Sequence, residues 1–250
     1  MNNEERLMIN RFKDLALWSA SRGVPRYSAF LDMAQQDLLQ QGRADFAVPF
    51  WLYGGFDEAE RVVAAFCEEE PEKEAYPVAA VRVRAANMKF KGELTHRDYL
   101  GSLMGLGIER DRLGDITVKD GEAFVFCLAE IAPFIADNLT SVGRVTVTCE
   151  VLPVSEAVGA APEFEEVVEP LASERVDAAV AKLAKCSRGA AVALIEQAKV
   201  FVNRRQCQSG ADKIKPGDVI SIRGTGKFKY DGIAYVGRKG TEHARFFKYV

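Results

Sequence analysis

Apolar positions over the first seventy residues recur mostly at helical spacing. Leu7, Phe12, Leu15 and Leu17 fall roughly on one side of a first helix. Ser28 is placed to cap a second helix holding Phe30, Leu31, Leu38 and Leu39. FAVPFWLY (46–53) reads as a buried strand or crossing segment. Asp57 then opens a third helix, DEAERVVAAF, with acidic residues in the first turn, where the helix dipole favours them. After residue 77 the period changes. VAAVRVRA (78–85) alternates as a strand does. A helix capped by Thr95 follows, THRDYLGSLMGLG (95–107), then strand GDITV (114–118), an Asp120-Gly121 hairpin signal and strand EAFVFCL (122–128). A helix over 130–141, with Pro133 in its first turn, precedes a last strand, RVTVTCEVL (144–152). The order β-α-β-β-α-β is the ferredoxin-like or RNA-recognition-like arrangement, which hosts many functions and decides none.

The pattern changes again after residue 172. A Ser173 cap precedes ERVDAAVAKLAK (174–185), with Val176, Val180 and Leu183 as its apolar stripe. A Ser187 cap precedes RGAAVALIEQAK (188–199), with Ala191, Leu194, Ile195 and Ala198 inward. Strands VFVN (200–203), DVISIR (218–223), KFKY (227–230), IAYVG (233–237) and ARFFKYV (244–250) complete the chain. Two acidic, proline-bearing stretches, 67–77 and 150–170, read as loops or linkers. The reading is an α+β protein of three small domains: 1–75, mostly helical α/β; 76–152, ferredoxin-like; and 173–250, two helices on a small sheet. An acidic linker over 153–172 precedes the last of these.

Charge sharpens this division. The whole chain of 250 residues has a net charge of -3, but residues 173–250 hold 16 Lys and Arg against 7 Asp and Glu. The C-terminal part is thus at +9 and the remainder at -12. A basic segment on an acidic body points to a polyanion as partner. No apolar run approaches the ~20 residues that span a bilayer. The start of the chain lacks the apolar core of a secretory signal. Five scattered cysteines without a C-x-x-C pair, and only two histidines, argue against a zinc site or a disulfide framework and for a reducing cytoplasm.

Candidate phosphate-binding residues follow from spacing. Arg175 and Lys182 are seven apart, and Arg188 and Lys199 eleven apart, each pair on one helix face. Arg204 and Arg205 sit at a turn, and Lys227 and Lys229 alternate onto one side of a strand. Together with the helix starts these could build one continuous RNA-binding surface.

Four motifs make the segment specific: Arg175-Val176-Asp177, Ser187-Arg188, Val200-Phe201-Val202-Asn203 and Lys215-Pro216-Gly217-Asp218. Residues 173–224 resemble the S-four RNA-binding domain, named for small-subunit ribosomal protein four. The departures are Ala198-Lys199 and Arg204, where the family often has glycine. The resemblance implies a helix pair that packs on structured RNA, reading shape more than sequence. The candidate RNA contacts are Arg175, Lys182, Ser187, Arg188, Lys199, Asn203, Arg204, Arg205, Lys213 and Lys227. LTHRDYLGSLMGLGIERDRLGDITV (94–118), YSAFLDMAQQDLL (27–39) and the run Gly54-Gly55…Ala59-Glu60-Arg61 resemble the YlmH-type proteins. That resemblance implies a monomeric, cytoplasmic factor on the large ribosomal subunit carrying stalled peptidyl-tRNA, with ribosomal RNA and also tRNA as candidate partners and no membrane.

His96-Arg97-Asp98 is not a kinase loop, since Leu103 stands where the asparagine is needed. Arg97 is either an RNA contact or part of a helix start, with His96 and Asp98 bonded locally. Phe124 and Phe126 alternate on one strand and suit either base stacking or, more commonly, core packing. Arg82 and Arg84 are better suited to a polar sheet face. GLGIER (105–110) fails the dinucleotide pattern at Arg110. No catalytic, metal or cofactor residue is assigned, so the expectation is a non-enzymatic RNA-binding factor. The alternatives are an RNA-modifying enzyme, such as a pseudouridine synthase or methyltransferase, and a cell-division-linked interaction adaptor.

Overall fold

The computed structural model of the chain describes residues 3–57, 59–87, 94–119, 121–157, 164–203, 205–237 and 240–249. They form two units, Met1–Ala161 and Pro162–Val250. In the first, α1 (Asn3–Arg22) is followed by β1 (Arg26–Leu31), α2 (Met33–Gly42), β2 (Phe50–Tyr53) and β3 (Val62–Phe66). β3 lies between β1 and β2 in an antiparallel sheet. Two sequence expectations are corrected here. Ser28 caps no helix: it lies in β1 and its Oγ accepts from the Ala64 N–H at 2.9 Å. α2 is capped instead by Asp32, which accepts from the Gln35 N–H at 2.9 Å, while Gln35 accepts from the Asp32 N–H. The helix expected from Asp57 is instead strand β3. Its run VVAAF is buried on both sides, and such a run has no period to distinguish strand from helix.

β3 separates two cores. Ala64 and Phe66 pack with Phe12, Ala16, Leu31 and Leu39 below the helices. Val63 and Ala65 pack with Phe30, Phe56 and Phe126 on the other side. That second core joins the N-terminal sheet to the next segment, so the expected boundary at residue 75 does not separate two bodies.

The next segment runs β4 (Val78–Ala85), α3 (His96–Gly105), β5 (Leu113–Lys119), β6 (Glu122–Leu128), α4 (Ala132–Asn138), β7 (Ser141–Val142) and β8 (Val145–Leu152). The sheet order β5-β6-β4-β8-β7 is antiparallel throughout, as the ferredoxin-like arrangement requires. The hairpin residue Asp120 lies outside the described residues. Val81, Val83 and Val125 face a core with Tyr99 and Leu103 of α3 and Ile135 of α4. Phe126 points to the opposite face and is fully buried, 5.0 Å from the Phe56 ring. Phe124 is partly buried in the same cluster. The sheet face that would stack bases in an RNA-recognition fold is covered at this end by the N-terminal sheet.

The join is close. A Cβ on Gly55, where φ is +106°, would lie 2.4 Å from the Phe126 ring, and one on Gly114 2.7 Å from Phe30. Arg61, 4% exposed, donates to the carbonyls of Leu113 at 2.8 Å, Phe30 at 3.1 Å and Arg110 at 3.2 Å. The Gly54–Arg61 run is thus the seam of this unit. Arg82 and Arg84 occupy the uncovered end of the face, where Arg82 pairs with Glu150 and Arg84 with Glu122.

The stretch 153–172, expected as a linker, holds two elements among its described residues, and the division between the two units falls within it. α5 (Val154–Ala157) buries Ala157 in the first unit, and β9 (Phe164–Leu171) is a strand of the second. Its glutamates suppressed the strand signal, yet its backbone pairs with a partner strand along eight residues. α6 (Val176–Leu183), α7 (Arg188–Glu196), β10 (Val200–Val202), β11 (Arg205–Gln206), β12 (Val219–Ile222), β13 (Gly226–Val236) and β14 (Glu242–Tyr249) follow. The sheet order is β11-β10-β12-β13-β14-β9. Val176, Ala179, Val180, Ala191 and Ile195 of the helices pack on Val200, Ile220, Ile222, Phe228, Tyr230 and Phe246 of the sheet.

Candidate nucleic-acid interface

The helix pair is organised around Asp177. Arg175 stands at the N-cap of α6, and Asp177 lies in its first turn, where a carboxylate is favoured. Ser187 caps α7 and accepts from the Ala190 N–H at 3.2 Å, which makes Arg188 the first helical residue. Asp177, 4% exposed, then receives both guanidinium groups. Arg175 donates from Nε at 3.2 Å and Nη2 at 2.9 Å, and Arg188 from Nε at 3.2 Å and Nη2 at 2.9 Å. Each is a two-bond fork on one carboxylate, a geometry that lysine does not reproduce. Burial alone would raise the Asp177 pKa. The hydrogen bonds and charges of Arg188 and Arg175 outweigh that and hold it below the ordinary carboxylate range.

A loop closes the cluster. The Asp177 N–H donates to the Gly210 carbonyl at 3.0 Å, and a Cβ on Gly210 would lie 2.9 Å from the Asp177 Cβ. Lys213 forms a backbone bridge with Arg175, and its side chain is exposed. Arg175, Arg188, Ser187 and Lys213 therefore share one edge beside the start of α7. Backbone N–H groups there add to the attraction for phosphate. Asp177 neutralises one charge, yet both arginine side chains stay accessible, at 39% and 52% exposure.

The remaining candidates divide. Lys182 is exposed on α6, and Arg205 is exposed on β11. Arg204 lies outside the described residues. Helical arithmetic does not carry to Lys199, because α7 ends at Glu196 and Ala198 turns the chain at φ +55°. The Lys199 carbonyl instead accepts from the Arg223 N–H at 2.9 Å. Asn203 is occupied internally: at φ +50°, its Nδ2 donates to Asp218 and its Oδ1 accepts from the Val219 N–H, both at 2.9 Å. That is a turn-holding role.

Lys227 is not on the helix-pair surface. Its neighbours Phe228 and Ile222 face the helices, so the pleat puts Lys227 on the opposite face of the sheet. It is half-buried with its Nζ 4.5 Å from the Tyr249 ring centre, and desolvation lowers its pKa to about 8. The single continuous basic surface expected from the sequence is thus divided between two faces.

Arg97 belongs to the first unit. It is exposed at the start of α3 and lines a groove of about 530 Å³ with Ser102, Asn138, Thr140 and Ser141. Asp98 accepts from the Thr95 N–H at 2.8 Å and its hydroxyl at 2.6 Å; these bonds lower its pKa and assign it to the helix cap. Sequence reasoning missed Asp177 as organiser. The signal available was its place between two arginines, two and eleven residues away.

Among the described residues no three His, Cys, Asp or Glu side chains cluster as a metal site, and no helix is long and apolar enough to cross a membrane. All five cysteines are free thiols.

The two-helix clamp and its sheet define a protein of the S-four class, and the comparisons agree. Residues 174–220 match the S4 domain family model, and residues 71–156 match the family described as "Putative RNA-binding domain in YlmH". The "Ribosome-associated protein quality control protein P2" of Bacillus subtilis (strain 168) is 33% identical over 202 residues, which are 79% of this chain and 77% of that protein. The chain belongs to that family of YlmH-type proteins. The solved "Cell division protein ylmH from Streptococcus pneumoniae" superposes with a TM-score of 0.52 at 23% identity, over 63% of this chain and 96% of that one. This last likeness concerns the fold.

Proposed function

We propose that this protein is a non-enzymatic, cytoplasmic factor that binds structured RNA on the large ribosomal subunit and acts in rescue or quality control of stalled translation. Ribosomal RNA is the first partner and tRNA the second, and the chain acts as a monomer. The observation that carries the reading is the pair of accessible arginines held by buried Asp177 at the start of α7, with Lys213 beside them. A fixed cationic fork at a helix N-terminus suits phosphates at a folded RNA junction. The relative's name supports the ribosomal setting.

Ultraviolet crosslinking in cells, with sequencing of the attached RNA, tests the partner. Reads concentrated on large-subunit ribosomal RNA and tRNA are expected; reads confined to other RNA overturn the ribosomal assignment. Binding to a ribosomal hairpin tests the mechanism. With about six phosphates engaged, log affinity falls against log salt with a slope near -4 to -5. Arg188→Ala lowers affinity about 3- to 10-fold and flattens that slope by about 1. Arg188→Lys keeps the charge but loses the fork, and recovers only part of the loss. A slope near zero in the unaltered protein overturns the electrostatic mechanism.

A further inference from the structure

The face of the C-terminal sheet turned away from α6 and α7 carries a row of aromatic and basic side chains. Strand register sets it out. Phe201 of β10 is opposite Ser221 of β12, which is opposite Lys227 of β13. Tyr249 of β14, whose ring Lys227 touches, is opposite Phe164 of β9. A second row runs Val219, Lys229, Phe247, Glu166. The alternate residues Val200, Ile220, Ile222, Phe228, Tyr230 and Phe246 point into the helix-side core, which fixes these rows on the other face.

The aromatic rings of these rows are half-buried, so each shows part of its surface. Cations lie against two of them: the Arg223 guanidinium is 5.0 Å from the Phe201 ring centre, and Lys227 Nζ is 4.5 Å from that of Tyr249. Phe164 packs 4.9 Å from Tyr249 and 6.3 Å from Phe247, forming an aromatic cluster at the β9 end. Carboxylates stand at the margin, where Glu166 and Asp231 pair with Arg245 at 3.1 and 3.5 Å. Aromatic surfaces interleaved with cations across a sheet are what single-stranded nucleic acid needs, with rings to stack on bases and charge to follow the backbone.

We propose that this face is a second RNA site, a stacking platform for unpaired nucleotides, centred on Phe201, Lys227 and Tyr249. It rests on the RNA-binding reading above, but it uses the opposite side of the sheet from the arginine clamp. It also draws on β9, β13 and β14, which lie outside the segment matched by the S4 family model. The two sites divide the work. The clamp holds a folded element through its phosphates, and the platform takes the bases of an adjoining loop or single-stranded end.

The test uses the full chain and two fluorescein-labelled probes, an eight-nucleotide oligoadenylate and a fully paired RNA hairpin. Phe201→Leu and Tyr249→Leu keep apolar bulk and remove the rings. Each is expected to weaken the oligoadenylate about 5- to 100-fold and leave hairpin affinity unchanged, which also reports that the fold is intact. Arg188→Ala is expected to do the reverse. A 2-aminopurine placed in the oligoadenylate should be quenched on binding to the unaltered protein, and less so in the leucine variants. Unchanged oligoadenylate affinity in both variants, with normal hairpin binding, overturns the platform and leaves the RNA-binding reading standing. Failure of the unaltered protein to bind either probe overturns both.

Discussion

Asp177 shows how much one carboxylate can organise. Its Asn substitute keeps the shape but loses the charge that holds two guanidinium groups. Two charge-assisted forks weaken together, and the expected cost is about 1–3 kcal/mol, because the arginines remain solvated when released. The pH dependence follows from the lowered pKa. An unfolded aspartate titrates near about 3.9. The stabilisation is therefore fully present above that value and is lost as pH falls through the lower folded value. Denaturant unfolding of the protein and of Asp177→Asn, compared from pH 7 down to pH 3, should show a gap that is constant at first and begins to narrow below about pH 4. RNA affinity of the variant should fall at pH 7 as well, since Arg188 loses its fixed orientation. A gap that widens as the pH falls contradicts the clamp.

At the level of elements, the seam of the first unit is a packed joint between two sheets. Gly55→Ala places a methyl group 2.4 Å from the Phe126 ring and asks alanine to hold φ +106°. The expected loss is about 2–4 kcal/mol, read as a lower melting temperature, with hairpin binding by the C-terminal unit retained. The seam also marks what the sequence could reveal. VAAVRVRA, EAFVFCL and RVTVTCEVL alternate because one face of each meets helices, so the ferredoxin-like order was legible. VVAAF has both faces buried and no period, and RYSAFL lies beside it, so neither strand shows the alternation that marks a strand in the sequence. β9 was hidden differently: its register with β14 sets Glu165 opposite Lys248 and Glu166 opposite Phe247, beside Arg245, partners eighty residues downstream that no local window contains. Arg175 and Arg188 were legible because they open two consecutive helices, whereas the carboxylate of Asp177 that joins them was not. The division of the basic residues between two faces was not legible either, since it depends on β-sheet pairings beyond the helices.

For the whole molecule, the division between the two units falls near residue 161, inside the stretch expected as a linker and ahead of β9. A fragment spanning 162–250 should fold cooperatively and keep the Arg188-dependent hairpin binding. A fragment starting at Ser173 removes β9, leaves β14 unpaired as an edge along eight residues and exposes its aromatic side, so it should aggregate or melt lower. Circular dichroism melting and gel filtration of the two fragments distinguish these outcomes.

The order of that sheet has a further consequence. β11, with Arg205, forms one margin, and β9, with Glu165, Glu166 and Glu169, forms the other. The two margins of the sheet thus differ in the sign of their charge, with Glu165 and Glu166 partly offset by Lys248 and Arg245 of β14. A polyanion arriving by diffusion feels a torque as well as an attraction, and it is turned before contact. Replacing the three glutamates with glutamine makes the unit more positive but less polarised. Association with any RNA should then quicken, while preference for the hairpin over a scrambled strand shrinks.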